Sequence, residues 1–148
     1  MANPAEAPAD LAMRKFLKIF RYLRQYARQI DERGIKPRQL SVLLFLKEVG
    51  PATVGQVQAY LFQSPSTASY VVADLEEAGY VTRTRSPQDN RVVIVELTPA
   101  GREQAQHTPL GGIPLFRRRL NTLSEERLQR INDALSDIMQ LMEVADDE

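Results

Sequence analysis

The chain has 148 residues, 43% of them hydrophobic, with 19 basic and 19 acidic side chains and a formal net charge of zero; that is long enough for one packed core and carries no overall charge that would by itself recruit a polyanion. It has no cysteine and a single histidine, which excludes disulfides, thiolate chemistry and thiol-based redox sensing and leaves a structural zinc site short of ligands. The longest apolar run, Val42 to Leu46, is far below the roughly 20 residues of a membrane span, and the first ten residues lack the basic start and apolar stretch of a secretory signal, so a disordered tail over 1–10 and a cytoplasmic protein with no membrane partner are expected.

From Leu11 to Ile30 the apolar residues Phe16, Phe20, Leu23, Ala27 and Ile30 recur at spacings of 4, 3, 4 and 3, which predicts an amphipathic helix. Its other face is mostly arginine and lysine: from Met1 to Arg38 nine basic residues stand against four acidic ones, whereas the C-terminus is acidic through Glu143, Asp146, Asp147 and Glu148. Gly34 ends that helix, and Pro37 opens a second over "RQLSVLLFLKEV", apolar on most sides and therefore central. Thr53 and Gln56 stand in capping-box order, which predicts a third helix from Val54 to about Phe62. Ser64 as N-cap and Pro65 as first residue start a fourth, running through Ala78 and closed by Gly79. Within it Ala68, Val71, Val72 and Leu75 form the buried stripe, with Ser66, Thr67, Ser69, Tyr70 and Ala73 opposite.

"YVTRTR" and "RVVIVEL" then read as two strands joined by "SPQDN", whose residue types favour turns. Arg83, Arg85 and Arg91 cluster around that turn. A fifth helix restarts at Thr98, "HTPLGGIP" interrupts it, and His107 reads as a surface loop residue. The last helix begins near Ser124 and presents Leu128, Ile131, Leu135, Ile138 and Met142 as a heptad seam.

Two helices on a tight connection, the second hydroxyl-rich on its outer face, followed by an arginine-bearing hairpin, describe a mostly α winged helix-turn-helix with a small β-hairpin. Such a helix can enter the major groove of double-stranded DNA, its N-terminal hydroxyls and dipole facing base edges and phosphates. The hairpin arginines would meet a phosphate or the minor groove nearby. The same architecture also serves modules that bind only other proteins, and Ser64 and Ser66 are in capping positions whether or not DNA is present. No glycine-rich phosphate loop occurs, the histidine has no evident catalytic partner, and Glu76 and Glu77 read as a solvated helix face. No catalytic residue, cofactor site or metal site is assigned, and an enzyme is not expected.

The run from Gln39 to Gln104 resembles the MarR family of bacterial transcriptional regulators. The resemblance rests on "SPSTASYVVADLEEAG" for the recognition helix and "DNRVVIVELTPAG" for the wing and the start of the following helix. It implies a homodimeric winged-helix DNA-binding repressor, released by a small molecule. Ser64, Ser66, Thr67 and Ser69 then fall on the helix face toward DNA, with Tyr70 where the family usually has arginine. Arg91 takes the place of the wing arginine and Asp89 that of the aspartate orienting it. Asp74 and Asn90 likewise stand where basic residues are common, so weaker nonspecific binding than in a typical member is expected. The implied organisation is a winged-helix DNA-binding domain over 34–107 and helical dimerisation segments over 11–33 and 108–148, the dimer reading a pseudo-palindromic operator. Phe16, Phe20, Tyr22 and Tyr26 are candidates to line an effector crevice, or are core or dimer contacts, and the basic first helix suits a small aromatic or anionic effector. The alternative is a winged-helix protein-interaction module without DNA binding.

Overall fold

A computed structural model of the chain describes residues 7–145. It is mostly helical with a three-stranded antiparallel sheet, and the described chain divides into two compact units that meet in sequence at Gly112 and Ile113.

The first helix, α1, spans Pro8–Asp31 and so starts three residues earlier than the periodicity indicates. Pro8 is preorganised for a first helical turn, and Asp10 complements the dipole there; the tail expected over 1–10 is therefore corrected at 8–10, while 1–6 lie outside the described residues. Only Tyr26 and Ile30 of α1 are buried, and Leu17 and Phe20 toward its other end are exposed.

Helix α2, Pro37–Val49, supplies the centre of the core through Leu40, Val42, Leu43 and Leu46. Its start is fixed by Gln39, whose Oε1 accepts the Lys36 N–H at 2.9 Å. A two-residue strand, β1 (Ala52–Thr53), follows; it is too short for any alternation to announce it, and it exists because Ala52 and Thr53 pair with Val95 and Ile94. Helix α3, Val54–Leu61, opens on the expected reciprocal cap between Thr53 and Gln56, at 3.1 and 2.9 Å.

Helix α4, Pro65–Glu77, buries Ala68, Val71, Val72 and Leu75 as the sequence indicates. It ends in a Schellman motif: Tyr80 N–H donates to the Leu75 carbonyl and Gly79 N–H to that of Glu76, with Gly79 at φ 81°, where glycine carries no Cβ penalty. Strands β2 (Val81–Arg85) and β3 (Val93–Leu97) complete a sheet of order β1-β3-β2, with Arg83 opposite Val95 and Arg85 opposite Val93. Val81 and Val95 turn into the core beside Leu40, Val72 and Leu75.

Helix α5, Pro99–His107, is capped by Thr98, whose Oγ1 accepts the Gly101 N–H and donates to the Gly79 carbonyl. A Cβ on Gly101 would overlap the Tyr80 carbonyl, so this glycine permits the close approach of α5 to the end of α4. His107 is the exposed last residue of α5 and not part of a loop; its carbonyl accepts from Arg33. The segment after it is tied to α1: Tyr26 Oη donates to the Pro109 carbonyl at 2.9 Å and accepts the Gly111 N–H at 3.2 Å, and Tyr22 Oη accepts the Gly112 N–H.

The second unit holds most of α6 (Gly112–Leu120) and α7 (Glu125–Leu141). Helix α6 begins inside the stretch "HTPLGGIP", whose last three residues, Gly112, Ile113 and Pro114, form its first turn. Glycines and a proline signalled a break, but Pro114 sits in the first turn, where a missing N–H costs no intrahelical bond. Ser124 caps α7 as expected, and no residue of α7 is buried. No helix of the described residues is long and apolar enough to cross a membrane.

Candidate nucleic-acid interface

The N-terminus of α4 carries a small network of hydroxyls. Ser64 Oγ accepts the Thr67 N–H at 3.3 Å and donates to Thr67 Oγ1 at 2.9 Å, and the Ser64 and Ser66 hydroxyls lie 3.1 Å apart. Serine and threonine are favoured here because their short side chains satisfy the first helical N–H groups. Ser64, Ser66, Ser69 and Tyr70 are exposed, Tyr70 by 68%, while Thr67 is half-buried. The helix dipole makes this end attractive to anions.

The wing loop between β2 and β3 is held by its own hydrogen bonds. Ser86 N–H donates to the Val92 carbonyl and Val92 N–H to that of Asp89, and buried Ser86 also bonds Gln88 through its hydroxyl. On this frame Asp89 accepts from the Arg91 backbone N–H at 3.0 Å and from its guanidinium at 3.2 and 3.3 Å. Those bonds hold the Asp89 carboxyl below the usual aspartate range. The Arg91 side chain is 91% exposed, so its charge is aimed outward from a fixed base.

The other two arginines are engaged differently. Arg85 Nη1 donates to the Asn90 carbonyl at 2.6 Å, bracing the loop. Arg83 is paired with Glu76 of α4: Nε and Nη2 donate to Oε1 at 3.2 and 2.9 Å, and the Arg83 backbone N–H donates to Oε2 at 3.0 Å. The side-chain bonds to Arg83 are the largest cause holding the Glu76 carboxyl below its ordinary range. The reading of Glu76 as a merely solvated residue is therefore corrected. It lies seven positions before Arg83, across a helix end, a turn and a strand start, and no periodicity links the two.

A cleft of about 460 Å³ joins these elements. It is lined by Thr53, Val54 and Gly55 at the start of α3, Ser69 on α4, and Arg83, Arg91, Val92 and Val93 of the wing. Of the residues singled out in the sequence, Ser69, Arg83 and Arg91 meet there; Ser64, Ser66, Thr67, Tyr70 and Arg85 do not line it. The α3 residues were not anticipated, since their part depends on β1 joining the sheet. Among the aromatics of α1, Tyr26 belongs to the core. A separate cavity of about 500 Å³ near the end of α1 is lined by Gln29, Ile30, Glu32, Arg33 and Pro109 and by none of Phe16, Phe20, Tyr22 or Tyr26.

A family model described as the MarR family matches residues 33–91. The chain is 26% identical over 123 residues to the HTH-type transcriptional repressor IacR of Pseudomonas putida, a match covering 83% of this chain and 74% of that protein. Among solved structures it is similar to AbsC, a MarR family transcriptional regulator from Streptomyces coelicolor, with a TM-score of 0.65, 22% identity and coverage of 97% of this chain and 100% of that one. It is also similar to Streptococcus pneumoniae FabT in complex with DNA, with a TM-score of 0.58, 22% identity and coverage of 90% and 96%. At these identities the structural likenesses carry the fold, while the sequence relatives are helix-turn-helix transcriptional regulators.

Proposed function

The chain belongs to the MarR family, and on that premise we propose that it is a sequence-specific DNA-binding transcriptional regulator, a repressor acting as a homodimer on a pseudo-palindromic operator in the cytoplasm. The observation that carries this reading is the shared cleft: Ser69 on the outer face of α4 and the Asp89-oriented Arg91 line it together. A groove-reading helix flanked by a fixed cation is what a duplex requires, because base edges are read in the major groove while the adjacent backbone or minor groove attracts a guanidinium. Ser64, Ser66, Thr67, Ser69 and Tyr70 supply the helix contacts in this reading, and Arg91 the wing contact.

The homodimer is supported by apolar surface that a single chain leaves uncovered. Leu17 and Phe20 on α1 are exposed, as are Leu135, Leu141 and Met142 on or just after α7, and the 11–33 and 108–148 segments are the proposed dimerisation region. Release by a small aromatic or anionic effector completes the proposal.

The test is fluorescence-anisotropy binding to the DNA upstream of the chain's own gene, against scrambled duplex, over a salt series, with sedimentation of the free protein alongside. Tight, sequence-dependent binding by a dimer that collapses in Arg91→Ala supports the reading. Binding no better than to scrambled duplex, unchanged by Arg91→Ala, counts against it. The exposed Tyr70 and the internal pairing of Arg83 favour one second reading, a protein-interaction surface, which predicts early elution from heparin.

A further inference from the structure

We propose that Glu76 is a positioning residue that withholds Arg83 from the DNA backbone, so that the wing meets phosphate through the outward-facing Arg91 and not through Arg83, although Arg83 lines the same cleft. This rests on the DNA-binding reading above and deepens it.

Three observations carry it. The first is the completeness of the pairing: one carboxylate takes Nε, Nη2 and the backbone N–H of a single residue, at 3.2, 2.9 and 3.0 Å. The second is what anchors the carboxylate. Strand β2 is an edge strand, hydrogen-bonded to β3 on one side only, and an outward N–H on such an edge needs a partner. Glu76 is pinned by that N–H, so its hold on the guanidinium does not depend on two long side chains finding each other in solvent. The third is position. Arg83 shares the cleft with Ser69 and Arg91, within reach of whatever strand of DNA occupies that surface.

Arg91 is also paired with an acid, but the two cases differ in geometry. Asp89 lies two residues away within the same loop and leaves the Arg91 side chain 91% exposed, whereas Arg83 is 37% exposed and Glu76 39%. Asp89 orients a cation toward solvent; Glu76 folds one back onto α4. A guanidinium held back against α4 by its carboxylate is kept from phosphate oxygens, so Arg83 adds little to the salt dependence of binding, whereas the outward Arg91 remains able to meet them.

The variants Glu76→Gln and Glu76→Gln with Arg83→Ala separate the possibilities. Glutamine keeps an oxygen for the Arg83 N–H while removing the charge, and the double variant is, like the wild-type pair, neutral overall. Each is measured by anisotropy on the operator and on scrambled duplex between 50 and 200 mM salt, after thermal unfolding confirms the fold; Glu76→Ala serves should glutamine unfold the protein. The expected result is a slope of log K against log salt steeper by about 0.9 in Glu76→Gln, an extra loss of about 3.5-fold over that range, alike on both duplexes. The double variant returns to the wild-type slope. A Glu76→Gln slope equal to wild type overturns the proposal, and so does a double variant shallower than wild type, which would mean that Arg83 already contacts phosphate. A wild-type protein that binds no duplex at any salt overturns the DNA-binding reading and this proposal with it, an outcome distinct from the other two.

Discussion

Asp89 holds Arg91 from both ends: Oδ1 accepts the Arg91 backbone N–H at 3.0 Å and Nε at 3.2 Å, while Oδ2 accepts Nη2 at 3.3 Å. The planar guanidinium matches the carboxylate fork, so the aspartate determines direction as well as charge balance. Arg91→Ala is expected to make the salt slope shallower by about 0.9. Asp89→Ala keeps the cation but frees its direction, so it should lower affinity for the operator more than for scrambled duplex. Arg91→Lys, with one compact ammonium in place of the fork, should fail to restore operator affinity. Anisotropy on both duplexes reads all three, and an Asp89→Ala that matches wild type on the operator would remove the orienting role.

The two pairs also set a pH expectation. Glu76 and Asp89 are both held below their ordinary ranges by their arginines. A depressed carboxylate contributes fully above its unfolded pKa and loses its contribution as pH falls through the lower folded value. Both pairs are therefore intact at neutral pH and open only on acidification below the ordinary carboxylate range. DNA affinity at fixed salt should stay flat from about pH 8 to pH 5 with respect to these groups. Carboxylate signals followed by NMR provide the check; titration of either group at or above its ordinary range would contradict the geometry.

Tyr70 offers a direct test of which face meets DNA. It is 68% exposed on α4 and occupies a place where arginine is common in the resembling pattern. Tyr70→Arg should steepen the salt slope by about 0.9 and raise affinity for both duplexes if that face lies against phosphate. An unchanged slope would put Tyr70 away from the backbone.

Gly101 tests the fold itself. Any Cβ there would overlap the Tyr80 carbonyl and crowd Leu97, so Gly101→Ala must displace α5 from the end of α4. Overpacking of this kind costs about 1–3 kcal/mol despite the better helix propensity of alanine. Differential scanning calorimetry should show a melting point lower by several degrees, and a Tm equal to or above wild type would mean that the junction gives way freely.

Much of this molecule could be read from local chemistry. The caps at Thr53, Ser64, Thr98 and Ser124, the glycine closing α4 and the buried stripe of that helix are each determined within a few residues, because they satisfy backbone groups or helical periodicity on the spot. The pairing of Asp89 with Arg91 is as local, two residues apart in one loop, but it was legible only through the resemblance to the MarR family and not from the residues alone. Strand β1 does not: Ala52 and Thr53 become a strand only when β3 comes to lie beside them. Helix α6 was hidden behind glycines and a proline whose local signals point to a break. The partners of the wing arginines were hidden more deeply. That three arginines surround one turn is plain from residue order; that Arg91 faces solvent while Arg83 is turned onto Glu76 is a product of the packed fold, because the carboxylate reaches Arg83 only after α4 and the edge strand have packed against one core.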